Sequence, residues 1–179
     1  LFSIIDIETT GQSYKNGKIT EIAIYQHNGQ EVTDSFSTLI NPEMDIPFFI
    51  TELTGINNEM VRTAPKFYQV AKKIIEMTMG RTFVAHNASF DYKFIKEEYA
   101  RLGYNYHRKT MCTVKLSRKL LPGHPSYSLG KLCADLGIEI NGRHRAAGDA
   151  LATAKLFDIL VDRNDSLGNP KAVNNYKLF

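Results

Sequence analysis

The pair Asn28-Gly29 constrains this chain more than any other local feature. It separates two runs that read as strands, and Asn-Gly favours the turn of an antiparallel hairpin. Upstream, residues 19–27 set Ile19, Glu21, Ala23 and Tyr25 on one face against Thr20, Ile22 and Ile24 on the other. Downstream, residues 31–40 read as the returning strand. Residues 1–7 are apolar and rich in isoleucine, so the first forty residues predict an antiparallel meander of three strands.

Pro42 and Pro47 then break the chain, and short helical pieces are expected over 50–53 and 57–62. Phe67, Val70, Ala71, Ile74 and Ile75 recur at helical spacing, which predicts a helix over 67–79 stopped near Gly80. A short apolar strand is expected over 82–85, a helix over 89–102 ended by Gly103, and a strand over 110–114. Helices over 115–121, 129–136 and 146–161 complete the reading. Strands and helices alternate after the meander, so the fold class is α/β, a mixed sheet covered by helices. Residues 1–161 form one domain. Residues 162–179, interrupted by Gly168 and Pro170, read as a polar tail or linker, where a further domain could follow.

The 179 residues suit a single domain. No stretch approaches the roughly 18 apolar residues of a membrane span. The first residues lack the basic region of a signal peptide, so no membrane association and a cytoplasmic location are expected. Cys112 and Cys133 stand alone with no C-x-x-C pairing; they read as reduced thiols and argue against a zinc site. The net charge is only +3, but residues 99–134 hold seven Lys and Arg with no Asp or Glu, leaving 15 basic against 19 acidic residues elsewhere. Such a segment is either a solvated helical surface or a track for a polyanion, with Lys115, Arg118 and Lys119 as its candidate contacts.

Four carboxylates fall where apolar residues are expected. Side chains alternate along a strand, so Asp6 and Glu8 share a face with Phe2 and Ile4. Two like charges there mark either a strand end emerging into solvent or a place where a cation sits between them. On the helix that follows His86 and Asn87, Asp91 lies between Phe94 and Ile95 on the apolar stripe, as does Glu98. Asn87 or Ser89 could cap that helix, and its N-terminus would also receive a phosphate. Asp149 aligns with Ala152, Thr153, Leu156 and Leu160; it reads equally as a first-turn acid favoured by the helix dipole. His144 precedes it in a polar loop. Ligands that are all oxygen point to Mg²⁺ or Mn²⁺, and four carboxylates can hold two such ions about 3.5–4 Å apart, which suits phosphoryl hydrolysis. A histidine beside them could take the proton from water.

These residues carry a family resemblance. I-I-D-I-E-T-T-G at 4–11, H-N-A-S-F-D at 86–91 and H-R-A-A-G-D at 144–149 occur in order, with His144 five residues before the last acid. The chain thereby resembles the DnaQ-like exonucleases of the Asp-Glu-Asp-Asp-His type, which include the proofreading epsilon subunit of bacterial replicative DNA polymerase. The resemblance implies a ribonuclease H-like fold, a five-stranded mixed sheet flanked by helices, making residues 1–161 an exonuclease domain. It implies that Asp6, Glu8, Asp91 and Asp149 ligate two Mg²⁺ or Mn²⁺ ions, with Asp6 bridging them and His144 as general base. It implies 3′ to 5′ hydrolysis of a single-stranded nucleic-acid end, DNA ahead of RNA, in proofreading or repair. Thr9, Thr10 and Gly11 match the loop that meets the terminal nucleotide. Leu53 and Ile56 match a segment that wedges against terminal bases, and Asn87 is a candidate to orient the scissile phosphate. A DNA polymerase, or a C-terminal nuclease domain fused after the tail, is the implied protein partner. An RNA exonuclease of the ribonuclease T or oligoribonuclease type shares the same five residues, and a non-catalytic nucleic-acid or polymerase-binding module remains the other alternative.

Overall fold

The computed structural model describes residues 1–164, so most of the polar tail expected over 162–179 lies outside the described residues. Strands β1 (Phe2–Thr9), β2 (Ile19–His27) and β3 (Val32–Leu39) form the meander. Helices α1 (Phe48–Thr54), α2 (Asn58–Arg62) and α3 (Phe67–Thr78) follow. Then come β4 (Thr82–Ala85), α4 (Ala88–Arg101), β5 (Thr110–Cys112), α5 (Thr113–Leu120), α6 (Leu129–Asp135) and α7 (Ala146–Asp162). The sheet runs in the order β3-β2-β1-β4-β5. β2 pairs antiparallel with both β1 and β3, whereas β4 pairs parallel with β1 and β5 pairs parallel with β4. The expected five-stranded mixed sheet, a meander followed by parallel strands, is therefore present.

β1 is the central strand, and its apolar run reflects cover on both faces. Ile5 and Ile7 join a cluster with Ile74 of α3 and Phe94 of α4. Phe2 and Ile4 point the other way, against Ala154 and Phe157 of α7. Ala146 and Ala150 of α7 meet Ala23 of β2, small residues that let this helix lie close to the sheet. His27 fixes the same helix further along: its Nε2 lies 2.7 Å from Asp158 Oδ1, and its Nδ1 accepts from the Gly29 amide at 2.9 Å. The second of these bonds makes Nε2 the donor toward Asp158 when the ring is neutral.

The structure departs from the sequence reading at particular ends. β1 continues through Thr9, two residues beyond its apolar run, and so carries Glu8 within the strand. The hairpin forms at Asn28-Gly29, but its loop spans residues 28–31. Asn28 Oδ1 accepts from the amides of Gln30 and Glu31, and Gly29 takes a positive φ of 102°. The expected strand over 110–114 stops at Cys112 because Thr113 begins α5. Thr113 is buried, with its hydroxyl 2.9 Å from Nδ1 of His86. His86 also reaches the Tyr127 carbonyl at 2.8 Å, tying the segment before α6 to the end of β4.

Candidate metal centre

Three elements converge beside the second half of β1. Strand alternation turns Asp6 and Glu8 toward α7, whose first turn supplies Asp149. One oxygen from each of Asp6, Glu8 and Asp149 lies within 4.8 Å of the others. Asp91 comes from the first turn of α4 and is buried. β4 ends at Ala85, so it does not pair the later residues of β1; Asp91 covers that gap, its carboxyl bonded by the amides of Ile7 and of Asp91 itself.

Burial raises the proton affinity of all four acids, and repulsion from neighbouring carboxylates adds to it at Asp6, Glu8 and Asp91. Asp6 is pushed well above the usual carboxylate range by burial first, then by Asp91, Glu8, Asp149 and Glu21. Glu8 is raised to about 7 by burial and by Asp149 and Glu21, with Arg145 acting against them. Asp91 rises to about 8, driven by burial, although its two amide bonds pull the other way. Asp149 is also raised by burial, and the His144 amide, the His144 ring and the Arg143 guanidinium oppose the shift. Its Oδ2 accepts from the His144 amide at 3.0 Å, while its buried Oδ1 has no hydrogen-bond partner among the described residues. Donors that are all oxygen, a buried oxygen left over and a repulsion that a cation would remove together fit a divalent metal ion.

The loop bearing His144 is held from below. His144 has a left-handed φ of 60°, an unfavourable backbone for a residue other than glycine. Its neighbour Arg145 donates to both oxygens of Glu21, at 3.1 and 2.7 Å, and the Ala146 amide donates to the same carboxylate at 2.8 Å. Glu21 lies opposite Glu8 in the β1–β2 register. It thus anchors the loop, satisfies an open amide at the start of α7 and sits beside the carboxylate cluster. Gly148 leaves room for the loop to fold back, since a Cβ there would stand 2.1 Å from the Asn141 carbonyl oxygen. Sequence reasoning missed Glu21; the available signal was a carboxylate in step with Ala23 and Tyr25 on an otherwise apolar strand.

The RNase_T model, described as Exonuclease, matches residues 3–157. The chain belongs to the RNase_T exonuclease family. Over 167 residues it is 38% identical to a DNA polymerase III of PolC type from Caldanaerobacter subterraneus, covering 93% of this chain and 12% of that protein. It is 39% identical over 171 residues to the 3′-5′ exonuclease DinG of Bacillus subtilis, covering 94% of this chain and 18% of that protein. The DNA polymerase III epsilon subunit of Aquifex aeolicus is 36% identical over 157 residues, with 87% of this chain and 78% of that subunit covered. The chain therefore spans under a fifth of the PolC and DinG relatives but most of the epsilon subunit. Among solved structures, exonuclease X in complex with 5′ overhanging duplex DNA superposes with a TM-score of 0.73 at 28% identity, covering 92% of this chain and 93% of that one. The resemblance to DnaQ-like exonucleases is borne out at the level of the family, since the chain carries an RNase_T exonuclease domain over residues 3–157.

In this RNase_T domain the expected substrate-facing residues divide. Thr9 and Thr10 are buried with committed hydroxyls: Thr9 donates to the Gly11 carbonyl at 2.7 Å, and Thr10 accepts from the Lys18 amide at 3.0 Å. What this loop leaves open is the backbone at Gly11, where nothing lies within 4 Å of a Cβ position. Leu53 is 53% exposed on α1, whereas Ile56 is fully buried among Ile46, Ile50 and Val61. Ile56 is thus corrected to a core residue, placed there by the turn at Gly55 that ends α1. Phe48 and Phe49, exposed at 76% and 65% on the same helix, are the apolar surface that sequence reasoning overlooked. Asn87 occupies the N-cap position of α4 in a left-handed conformation, with φ of 76°, yet its side chain makes no cap bond. The capping role expected of Asn87 or Ser89 is absent; Ser89 instead donates to Asn87 Oδ1 at 3.3 Å. Asn87 is exposed and lines a cavity of about 230 Å³ with Gln12, Tyr14 and Phe90.

Proposed function

We propose that this domain removes nucleotides from the 3′ end of single-stranded DNA, releasing nucleoside monophosphates, in proofreading or repair. The observation that carries the reading is the meeting of Asp6, Glu8 and Asp149 within 4.8 Å, with one buried Asp149 oxygen unpartnered and Asp91 beside them. Asp6, Glu8, Asp91 and Asp149 would hold two divalent cations, either Mg²⁺ or Mn²⁺. When bound, the pair lowers the pKa of water and offsets charge on the attacking and leaving oxygens.

The chain's own groups do the rest. The α4 N-terminus receives negative charge on the scissile phosphate, and Asn87 at its cap orients that phosphate. His144 takes the proton from the attacking water, its ring positioned by the Glu21–Arg145 anchor beneath the loop. The Gly11 backbone meets the terminal nucleotide, and Leu53 packs against its base. The 3′ polarity and the DNA substrate are supported by the names of the DinG and polymerase relatives. By the same support, a DNA polymerase is the protein partner.

Matched DNA and RNA oligomers, blunt, recessed and single-stranded, labelled at either end, test this reading. With Mg²⁺ or Mn²⁺ the protein is expected to shorten single-stranded DNA from its 3′ end, and chelator is expected to stop it. Faster loss from RNA, or loss from the 5′ end, would overturn the substrate and polarity assigned. No metal-dependent shortening of any oligomer would overturn the exonuclease reading.

A further inference from the structure

A second cavity, of about 650 Å³, runs along the outer edge of β5 between α4 and α5. It begins at Asn87 and Ser89, at the N-terminus of the helix whose first turn carries Asp91, although none of the four acids lines it. Its walls carry Lys93 and Lys96 from α4 and Lys115 and Lys119 from α5, with Arg108 at the margin. No acidic side chain among the described residues lines it. Its floor is apolar, built from Tyr92 and Met111 together with Leu116.

We propose that this groove is the track for the single strand behind its 3′ terminus, with phosphates against the four lysines and bases over the apolar floor. The choice of nucleic acid as occupant rests on the exonuclease reading above. Charge complementarity favours it, because basic walls around an apolar floor match a chain of phosphates and flat bases. A peptide adding a strand to the sheet edge fits less well, since β5 has only three residues and offers a short ladder. The groove also redraws the basic track expected from residues 99–134. Lys93 and Lys96 lie outside that segment, while Arg118 sits over the Tyr127 ring rather than in the groove. Arg101 binds Glu98 and the carbonyls of Tyr14, Lys15 and Gly17, and Arg108 Nε donates to the Thr78 carbonyl. Those two guanidiniums serve the fold.

The test is fluorescence anisotropy of a labelled thymidylate dodecamer with the full chain in chelator, where nothing turns over. Lys93→Glu/Lys96→Glu and Lys115→Glu/Lys119→Glu are each compared with wild type and with Lys72→Glu on α3, outside the groove. Each groove pair is expected to weaken binding by at least about tenfold and to flatten the log–log salt dependence by roughly 0.7 per lost phosphate contact. Lys72→Glu is expected to change neither. The corresponding Lys→Gln pairs should shift both readouts in the same direction by less, with unchanged circular dichroism, which separates lost contacts from misfolding. Affinity and salt slope unchanged in both Glu pairs would overturn the proposal. So would DNA binding that survives in pairs that have lost binding to polyglutamate, which would assign the groove to an acidic peptide. Wild-type binding without metal-dependent digestion would overturn the exonuclease reading while leaving the groove as a nucleic-acid site.

Discussion

Asp91 and Glu98 lie about two turns apart on α4, both buried, and their partners distinguish them. Glu98 accepts from Arg101 at 3.0 Å and has the Lys18 ammonium at 3.6 Å, so its charge is answered within the fold. Asp91 has two backbone amides and the neighbouring carboxylates. An acid compensated by cations is stabilised within the fold; an acid facing other acids would be stabilised by a bound cation. Asp6 is the most strongly opposed of the four, so Asp6→Asn should have two opposite effects. Turnover should fall by at least about 100-fold, since a ligand lost costs more than a supporting group lost. The metal-free protein should become more stable, with relief of about 1 kcal/mol raising its Tm by roughly 2–4 °C. Digestion assays with Mn²⁺ and thermal melts in chelator read the two effects separately. Near-normal turnover in this variant would remove Asp6 from the site.

At the scale of elements, β2 positions the loop that bears His144 although it adds nothing to the group formed by Asp6, Glu8 and Asp149. Glu21 reaches across to Arg145 and the first turn of α7, fixing the loop and the helix that present His144 and Asp149. Glu21→Gln keeps the shape but weakens three charge-assisted bonds. It should cost about 1–2 kcal/mol of stability, a modest figure because Arg145 is partly exposed. It should also lower kcat by about tenfold with a smaller change in KM, because the base moves while the strand contacts stay. Unchanged kcat with lowered Tm would reduce Glu21 to a structural role. This anchor was not legible in the sequence because it joins residues 124 positions apart and exists only once α7 lies on β2. The four acids were legible because each breaks a local period, on a strand or on an apolar helical face. Leu53 and Ile56 were not separable that way: both are apolar and close in sequence, and the left-handed turn at Gly55 decides which one is buried. The basic segment misled in part, since charge along the chain does not say which cations are spent on carbonyls and rings.

For the whole molecule, the meander and the later alternation of strands and helices were legible in sequence, whereas the strand order, with β1 between β2 and β4, emerges only in the folded sheet. Among the described residues no helix is long and apolar enough to cross a membrane. The folded protein must confine four acids at one end of its central strand, and this ties its stability to pH. Glu8 is raised from 4.5 to about 7 and Asp91 from 3.8 to about 8, both chiefly by burial. Between the ordinary and raised values the folded chain binds more protons than the unfolded one, so rising pH withdraws stability. That contribution is complete below the ordinary values and lost above the raised ones. Metal competes with those protons, so the Tm gained on adding Mn²⁺ should grow as the pH rises from roughly 5 to 8.5. An increment independent of pH would mean that these acids do not bind the metal. The most direct test is anomalous diffraction from crystals soaked in Mn²⁺. Two peaks are expected about 3.5–4 Å apart, both touching Asp6, one shared with Glu8 and Asp149 and the other beside Asp91. An absence of peaks at these carboxylates, or manganese bound only elsewhere on the protein, would contradict the account.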